Sequence, residues 1–194
     1  MPRHNMDITQ YFKHITPISE AAEAGIISGF ERLSHPRKTQ LCEQGQLVNH
    51  LYFIETGLVR MYYINNQGKD ITYAFYTERQ FVTVPESFFG RTASRYYIEL
   101  LEDCTLYSVS HSGLMNLIEG FLEIRLIENH VLREFLLKTS DRIVALQFLS
   151  AEERYQKLNE LQPSILQRSP LGHIASYLGI TQETLSRIRA RRTV

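Results

Sequence analysis

The sequence predicts an α+β chain in three parts: an N-terminal double-stranded β-helix (jelly-roll) barrel, a long central dimerisation helix, and a C-terminal helix-turn-helix. Three observations predict it. Short strand-like runs separated by glycine and polar turns occupy the region from about Thr39 to Ser110. The stretch Phe121 to Leu149 contains neither proline nor glycine and carries apolar residues at helical spacing. Finally, Leu171 to Ile188 places small, apolar and glycine residues where two short helices joined by a tight turn need them.

Taken in order, Ser19 is a plausible N-cap, and Ala22, Ile26, Phe30 and Leu33 recur at helical spacing, so a helix is expected over 19–34, ending near His35-Pro36. Strand-like runs follow at Thr39–Cys42, His50–Glu55, Leu58–Ile64, Lys69–Tyr76, Arg95–Leu101 and Cys104–Ser110. Asn65-Asn66-Gln67-Gly68 tolerates positive φ and reads as a hairpin turn. So many short antiparallel strands are best closed as a barrel or double sheet, because an open sheet leaves unpaired edges. A short helical segment is expected near Ser112–Ile118. In the long helix, Ile127, Val131 and Phe135 form one stripe, and Leu132, Leu136 and Ile143 a neighbouring one. One small barrel cannot easily cover both, which points to a helix from a second subunit. Ser150-Ala151-Glu152-Glu153 has the form of a capping box and restarts the helix. The expected divisions are residues 1–120, an effector barrel; 121–149, the dimerisation helix; and 150–194, a DNA-binding unit.

Composition excludes several classes. The 194 residues are 43% hydrophobic and 22% charged, which excludes disorder and low complexity. Neither a membrane span nor a secretory leader is legible, so the expectation is a cytoplasmic chain with no membrane partner. Cys42 and Cys104 are far apart without paired histidines, which argues against a zinc finger or iron–sulfur cluster and for core thiols. No phosphate-loop, dinucleotide, nucleophile-elbow or zincin motif occurs, so no catalytic residue and no metal site are expected. The net charge of zero hides an asymmetry. Residues 1–150 hold 14 Lys and Arg against 17 Asp and Glu, whereas residues 151–194 hold 7 against 4. A basic end behind an acidic body suits a polyanion, although a solvated basic helix face would look the same.

Counting from Leu171, apolar residues are needed at the fourth, eighth, fifteenth and eighteenth positions, and a residue free to take positive φ at the ninth. These are Ile174, Leu178, Leu185, Ile188 and Gly179, with Ala175 at the fifth, where the helices approach. Thr181 would cap the second helix, whose outward face is polar and Arg-rich. Arg187 suits guanine, Glu183 suits cytosine N4, and Gln182 suits adenine. Thr181, Ser186, Arg189, Arg191 and Arg192 would neutralise phosphates on double-stranded DNA. A homodimer would read two half-sites.

The order barrel, long helix, helix-turn-helix resembles the Crp/Fnr family of bacterial transcription regulators over nearly the whole chain. Leu41-Cys42-Glu43-Gln44-Gly45 and Leu51-Tyr52-Phe53-Ile54-Glu55-Thr56-Gly57-Leu58-Val59-Arg60 look like that family's barrel strands, and Gln182-Glu183-Thr184-Leu185-Ser186-Arg187 is similar to its R-E-T-V-G-R, with Gln182 replacing the first Arg. The resemblance implies a DNA-binding regulator, a cyclic nucleotide or another small effector, and RNA polymerase as a further partner. The family's nucleotide pocket uses G-E-L and, about ten residues on, R-S/T-A. Here Glu86 lacks the preceding glycine, Arg91-Thr92 come early, and Ser94-Arg95 stand where Arg-Ser belongs. Thr139-Ser140 match the family's base-contacting pair on the long helix. The resemblance therefore implies an effector barrel whose phosphate site is degenerate. A true cyclic-nucleotide sensor, a regulatory subunit that does not bind DNA, and a barrel enzyme are the alternatives.

Overall fold

The computed structural model of the chain describes residues 7–191. Two short helices come first, α1 (Ile8–Ile15) and α2 (Glu20–Gly29), followed by strands β1 (Glu31–His35), β2 (Gln40–Cys42), β3 (His50–Thr56), β4 (Val59–Ile64), β5 (Asp70–Tyr76) and β6 (Phe81–Val82). The one-turn helix α3 (Pro85–Phe88) precedes β7 (Tyr97–Leu100) and β8 (Cys104–Ser110). The remainder is helical: α4 (His111–Gly120), α5 (Leu122–Phe148), α6 (Ala151–Leu161), α7 (Pro163–Arg168), α8 (Leu171–Leu178) and α9 (Gln182–Ala190).

Among the described residues the strands form two antiparallel sheets, ordered β1-β8-β3-β6 and β2-β7-β4-β5. They face one another as the jelly roll that the alternation of short strands predicts. Phe53, Ile54, Met61, Val82, Ile98 and Leu106 fill the space between them. The β4–β5 hairpin is closed at Asn65, whose Oδ1 accepts from the amides of Gln67 and Lys69, both at 3.0 Å, with Gly68 at φ +72°. Gly57, at φ +118°, lets β3 turn into β4 against Cys104; a Cβ there would collide with the Cys104 sulfur.

The helix expected over 19–34 is shorter. It stops at Gly29, where the Phe30 amide makes the last bond to Ile26, and residues 31–35 become β1, paired with β8 from Glu31↔Ser108 to His35↔Cys104. Phe30 and Leu33 follow helical spacing by coincidence, and the free edge of β8 wins because pairing satisfies backbone groups that a longer helix would leave it. Helix α1, the two-residue β6 and α3 lie in stretches whose spacing gave no signal. Ser150 does form the capping box: it accepts from Glu153 N and the Glu153 carboxylate accepts from Ser150 N.

Helix α5 has 27 residues, about 40 Å at 1.5 Å per residue. Ile124 and Ile127 pack into the barrel core, with Val131 against it, and Ala145 is buried further along. Its other side carries Leu122, Leu126, Leu136, Leu137, Ile143, Val144 and Phe148, all exposed, Leu136 to 67% and Phe148 to 76%. A second apolar cluster joins Tyr155, Leu158, Ile165, Ile174, Leu178, Leu185 and Ile188 to Leu58, Phe75 and Leu101 of the barrel. The C-terminal helices thus complete their core on the outer surface of the β-structure.

Gly57→Ala should cost roughly 2–4 kcal/mol, from the strained φ and the collision with Cys104. Gly68→Ala has the same left-handed requirement but open space around it, and should cost about 1 kcal/mol. Urea unfolding of the two variants measures the difference.

Candidate nucleic-acid interface and effector cavity

Helix α8 ends because Gly179 takes the left-handed conformation, φ +68°, while Ile180 N donates to Ala175 O at 3.0 Å. Two residues later Thr181 caps α9, its hydroxyl accepting from Thr184 N at 3.2 Å. Ile174, Ala175, Leu178, Leu185 and Ile188 form the buried seam between the two helices. That seam turns the opposite face of α9 outward: Thr181, Gln182, Glu183, Ser186, Arg187, Arg189 and Arg191 are all exposed. Arg192 lies outside the described residues.

Within that face the side chains are not equivalent. The Arg187 guanidinium donates to Thr184 Oγ1 at 3.2 Å. Glu183 is held below the usual carboxylate range by its own backbone amide at the helix start, then by the Thr181 hydroxyl, with Arg187 adding to the effect, so it stays ionised. The Gln182 amide lies over Gly172: a Cβ at position 172 would come within 2.7 Å of Gln182 Nε2. The glycine therefore lets the start of α9 fold against the start of α8.

Residues that the sequence reading did not single out dock this unit on the barrel. Arg60, only 1% exposed, donates through Nε to Thr72 Oγ1 at 2.9 Å and through its terminal nitrogens to Glu99 at 3.3 Å and to Asp70. It also reaches His173 Nε2 of α8 at 3.1 Å. Since Arg60 can only donate, that His nitrogen accepts, and the proton sits on Nδ1, which is buried without a partner. Burial, then Arg60, pushes the His173 pKa down, with Glu99 opposing. Thr72 N donates to Ser176 Oγ at 2.9 Å, and Phe75 meets Tyr177 at 5.3 Å between ring centroids. Arg168, at the end of α7, is held by two carboxylates, Glu78 at 2.9 and 3.0 Å and Glu102 at 2.6 Å. Burial alone would raise the Glu78 pKa; the Arg168 bond and backbone donors outweigh it, and the net shift is downward.

The residues proposed for a phosphate site do not share one cradle. Arg91, at φ +53°, points to the Val48 carbonyl at 3.4 Å and Asn49 Oδ1 at 2.8 Å. Thr92 donates to Glu86 O at 2.8 Å, and the Glu86 side chain is exposed. Ser94 is buried in a turn, where its hydroxyl donates to Tyr96 O at 2.8 Å. Arg95 is exposed. The serine that ties this loop together is Ser87, fully buried, accepting from Val48 N at 2.9 Å and donating to Thr92 O at 2.6 Å.

A cavity of about 280 Å³ does lie between β5, α5 and the C-terminal helices. Glu86, Arg91, Thr92, Ser94 and Arg95 are not among its lining residues, whereas Thr139 is. The helix separates the Thr139–Ser140 pair: Ser140 is exposed, on the side of α5 that carries Leu136 and Ile143. No group of three or more His, Cys, Asp or Glu that could hold a metal exists among the described residues, and no helix there is long and apolar enough to cross a membrane. Cys42 and Cys104 are buried free thiols.

Comparisons with known proteins agree with this architecture. Residues 32–121 match the family model of the cyclic nucleotide-binding domain. No curated protein matches the chain. Among solved structures, FixK2 from Bradyrhizobium japonicum is similar with a TM-score of 0.71 at 19% identity, over 84% of this chain and 83% of that one. The c-di-GMP responsive global regulator CLP from Xanthomonas campestris gives 0.68 at 17% identity, over 89% and 91%. The catabolite activator protein of Thermus thermophilus gives 0.58 at 19%, over 93% and 85%.

His173 faces Arg60 and Glu99 from the barrel and must stay neutral there. Its folded pKa lies below its unfolded value, so its contribution is present above about pH 6.5 and is lost as pH falls through the folded pKa. Melting temperature should therefore drop more steeply from about pH 7.5 to about pH 5.5 in the wild type than in His173→Gln, where the amide oxygen still accepts from Arg60.

Proposed function

From a chain that carries a cyclic nucleotide-binding domain and the fold of the Crp/Fnr regulators, we propose a sequence-specific, double-stranded-DNA-binding transcriptional regulator that acts as a homodimer. The observation that carries the reading is the face of α9. A helix used only for packing has no need of Gln182, Glu183, Ser186, Arg187, Arg189 and Arg191 on its exposed side while Leu185 and Ile188 hold the other. Laid in a major groove, the N-terminal part of α9 meets base edges, and the arginines beyond reach guanine or phosphate. Gln182, Glu183 and Arg187 are assigned to bases, and Thr181, Ser186, Arg189 and Arg191 to the backbone. RNA polymerase belongs to the same proposal as the machine that such a regulator addresses. In this reading residues 1–120 are the effector barrel, 121–149 the dimerisation helix and 150–194 the DNA-binding unit.

The exposed face of α5 supports the dimer. Full burial of a large apolar side chain is worth roughly 1.5–3 kcal/mol. Even at half that value, the seven exposed apolar residues on each of two chains sum to the order of 10–20 kcal/mol. That is comparable to the roughly 4–15 kcal/mol that association costs. A second copy of α5 also brings Ser140 toward its partner's surface, where one chain alone leaves it in water.

The barrel is proposed to sense a ligand without the Arg–Ser phosphate grip, because Arg91 and Ser94 are committed to local backbone and loop partners. One observation favours the second reading, a cyclic-nucleotide sensor: Thr139, on the helix that follows the matched cyclic nucleotide-binding domain, lines a cavity whose other wall includes β5 of that domain. Calorimetric titration with cyclic AMP and cyclic GMP separates the two, since heat of binding at one site per chain supports only the second.

Fluorescence anisotropy with duplex DNA tests the main reading. Affinity should fall steeply with salt; Arg187→Ala should relax base preference by about 1–3 kcal/mol at one position, whereas Arg191→Ala should weaken all sequences alike and lower the salt slope by about one. Equal effects from both would remove the assignment of roles. Leu136→Lys with Ile143→Lys should convert the dimer to a monomer in sedimentation and weaken DNA binding, with the barrel still folded by circular dichroism.

A further inference from the structure

The cavity beside α5 is apolar along most of its wall, with Tyr73, Phe75, Phe81 and Phe135 among its lining. At about 280 Å³ it sits at the small end of ligand pockets. Its charged lining residues are unevenly placed. Glu128 lies in the first third of α5 and Glu134 at its middle, and Arg142 is 14 residues, or about 21 Å, beyond Glu128. Lys138, Arg142, Arg154 and Lys157 line the end nearest the helix-turn-helix. Lys138 faces Glu134 at 3.8 Å and Lys157 faces Asp141 at 3.7 Å. The two arginines have neutral partners instead. Arg142 stacks on the Tyr177 ring, 3.8 Å to its centroid, and donates to the Tyr177 carbonyl; Arg154 donates to Leu178 O at 2.9 Å and to Leu149 O at 2.5 Å. Two guanidiniums close enough to oppose one another's charge thus stand at one end of an apolar cavity, and a guanidinium pair is a geometry suited to an anion.

Resting on the regulator reading, we propose that this cavity takes a small amphipathic carboxylate, its aromatic or aliphatic body against Phe135 and Tyr73 and its carboxylate between Arg142 and Arg154. The guanidinium fork matches a carboxylate bidentately, and an apolar body suits walls that offer few groups to a ribose. The site also has a built-in output. Tyr177 and Leu178 are the last turn of α8, and the two arginines hold their carbonyls. An anion that draws the arginines into the cavity removes those bonds and loosens the end of α8 from α5 and α6, which changes how α9 is presented. Ligand state and helix-turn-helix position are thereby linked through two side chains.

The test uses the full-length dimer with 8-anilinonaphthalene-1-sulfonate as an aromatic anion, N-phenyl-1-naphthylamine as its neutral counterpart, and decanoate as competing carboxylate. Saturable binding of the anion at one site per chain, displaced by decanoate, is expected. Arg142→Gln with Arg154→Gln should weaken the anion at least about tenfold and leave the neutral probe within about twofold. Arg142→Lys with Arg154→Lys, which keeps the charge, should recover part of the loss and guards against a misfolded double variant. Hydrogen exchange at the Gly179 and Ile180 amides should quicken with decanoate. Anion affinity indifferent to the Gln pair, parallel loss of the neutral probe without rescue by Lys, or displacement by cyclic AMP and not by decanoate would each overturn the site. Unchanged exchange would overturn the coupling. None of these readouts contains DNA, so absent DNA binding by the wild type would remove the regulator reading while leaving the cavity result intact.

Discussion

The organisation of this molecule depends on one helix that must serve two surfaces. Residues 122–148 form a rod about 40 Å long. The barrel covers the side bearing Ile124 and Ile127, and the side bearing Leu136, Leu137, Ile143 and Phe148 stays in water. A helix that is apolar on opposite sides is stable only between two partners, and the chain itself supplies one. The same rod spaces the β-structure from the helix-turn-helix and forms one wall of the cavity. The proposed association, sensing and presentation of α9 would therefore share a single element.

The second constraint is how charge is divided. The C-terminal segment is basic, but its arginines fall into two groups with different work. Arg168 is spent on Glu78 and Glu102 and holds the end of α7 to the barrel, whereas Arg154 is spent on the Leu149 and Leu178 carbonyls and ties α6 to the end of α8, so both face inward. Arg187, Arg189 and Arg191 face outward on α9 and its end. The acidic excess of the first 150 residues is partly the complement of the inward group. A charge asymmetry that looks like a nucleic-acid signature is thus also an internal docking code, and only the placement on helix faces tells the two apart.

In the barrel the frame and the loop side chains serve different ends. Gly45 and Gly57 keep positive φ at the turns, and the two four-stranded sheets fall almost wholly within the matched residues 32–121. The loop between α3 and β7 is instead closed on itself through Ser87, Thr92 and Ser94, with Arg91 drawn to Asn49. Side chains that would need to converge on a phosphate are occupied by backbone partners. The polar capacity next to the cavity comes from α5 and α6, elements outside that loop.

What the sequence determined by itself was local or periodic. The strand runs around Asn65–Gly68, the capping box at Ser150, Gly179 at the left-handed turn and the buried set Ile174, Leu178, Leu185 and Ile188 follow from spacing and from residues with few conformational options. The outward face of α9 was legible for the same reason, since fixing the buried set of a helix fixes its opposite face. The tertiary structure decided what has no period. Residues 31–35 became β1 because β8 offered an edge, and Phe30 and Leu33 could not announce it. Arg60 with His173, and Arg168 with Glu78 and Glu102, join positions 66 to 113 residues apart, and nothing local marks such partners. Likewise, Thr139 and Ser140 are neighbours in sequence, yet one lines the cavity and the other faces solvent. A helix turns by 100° per residue, but only packing decides which direction is the inside.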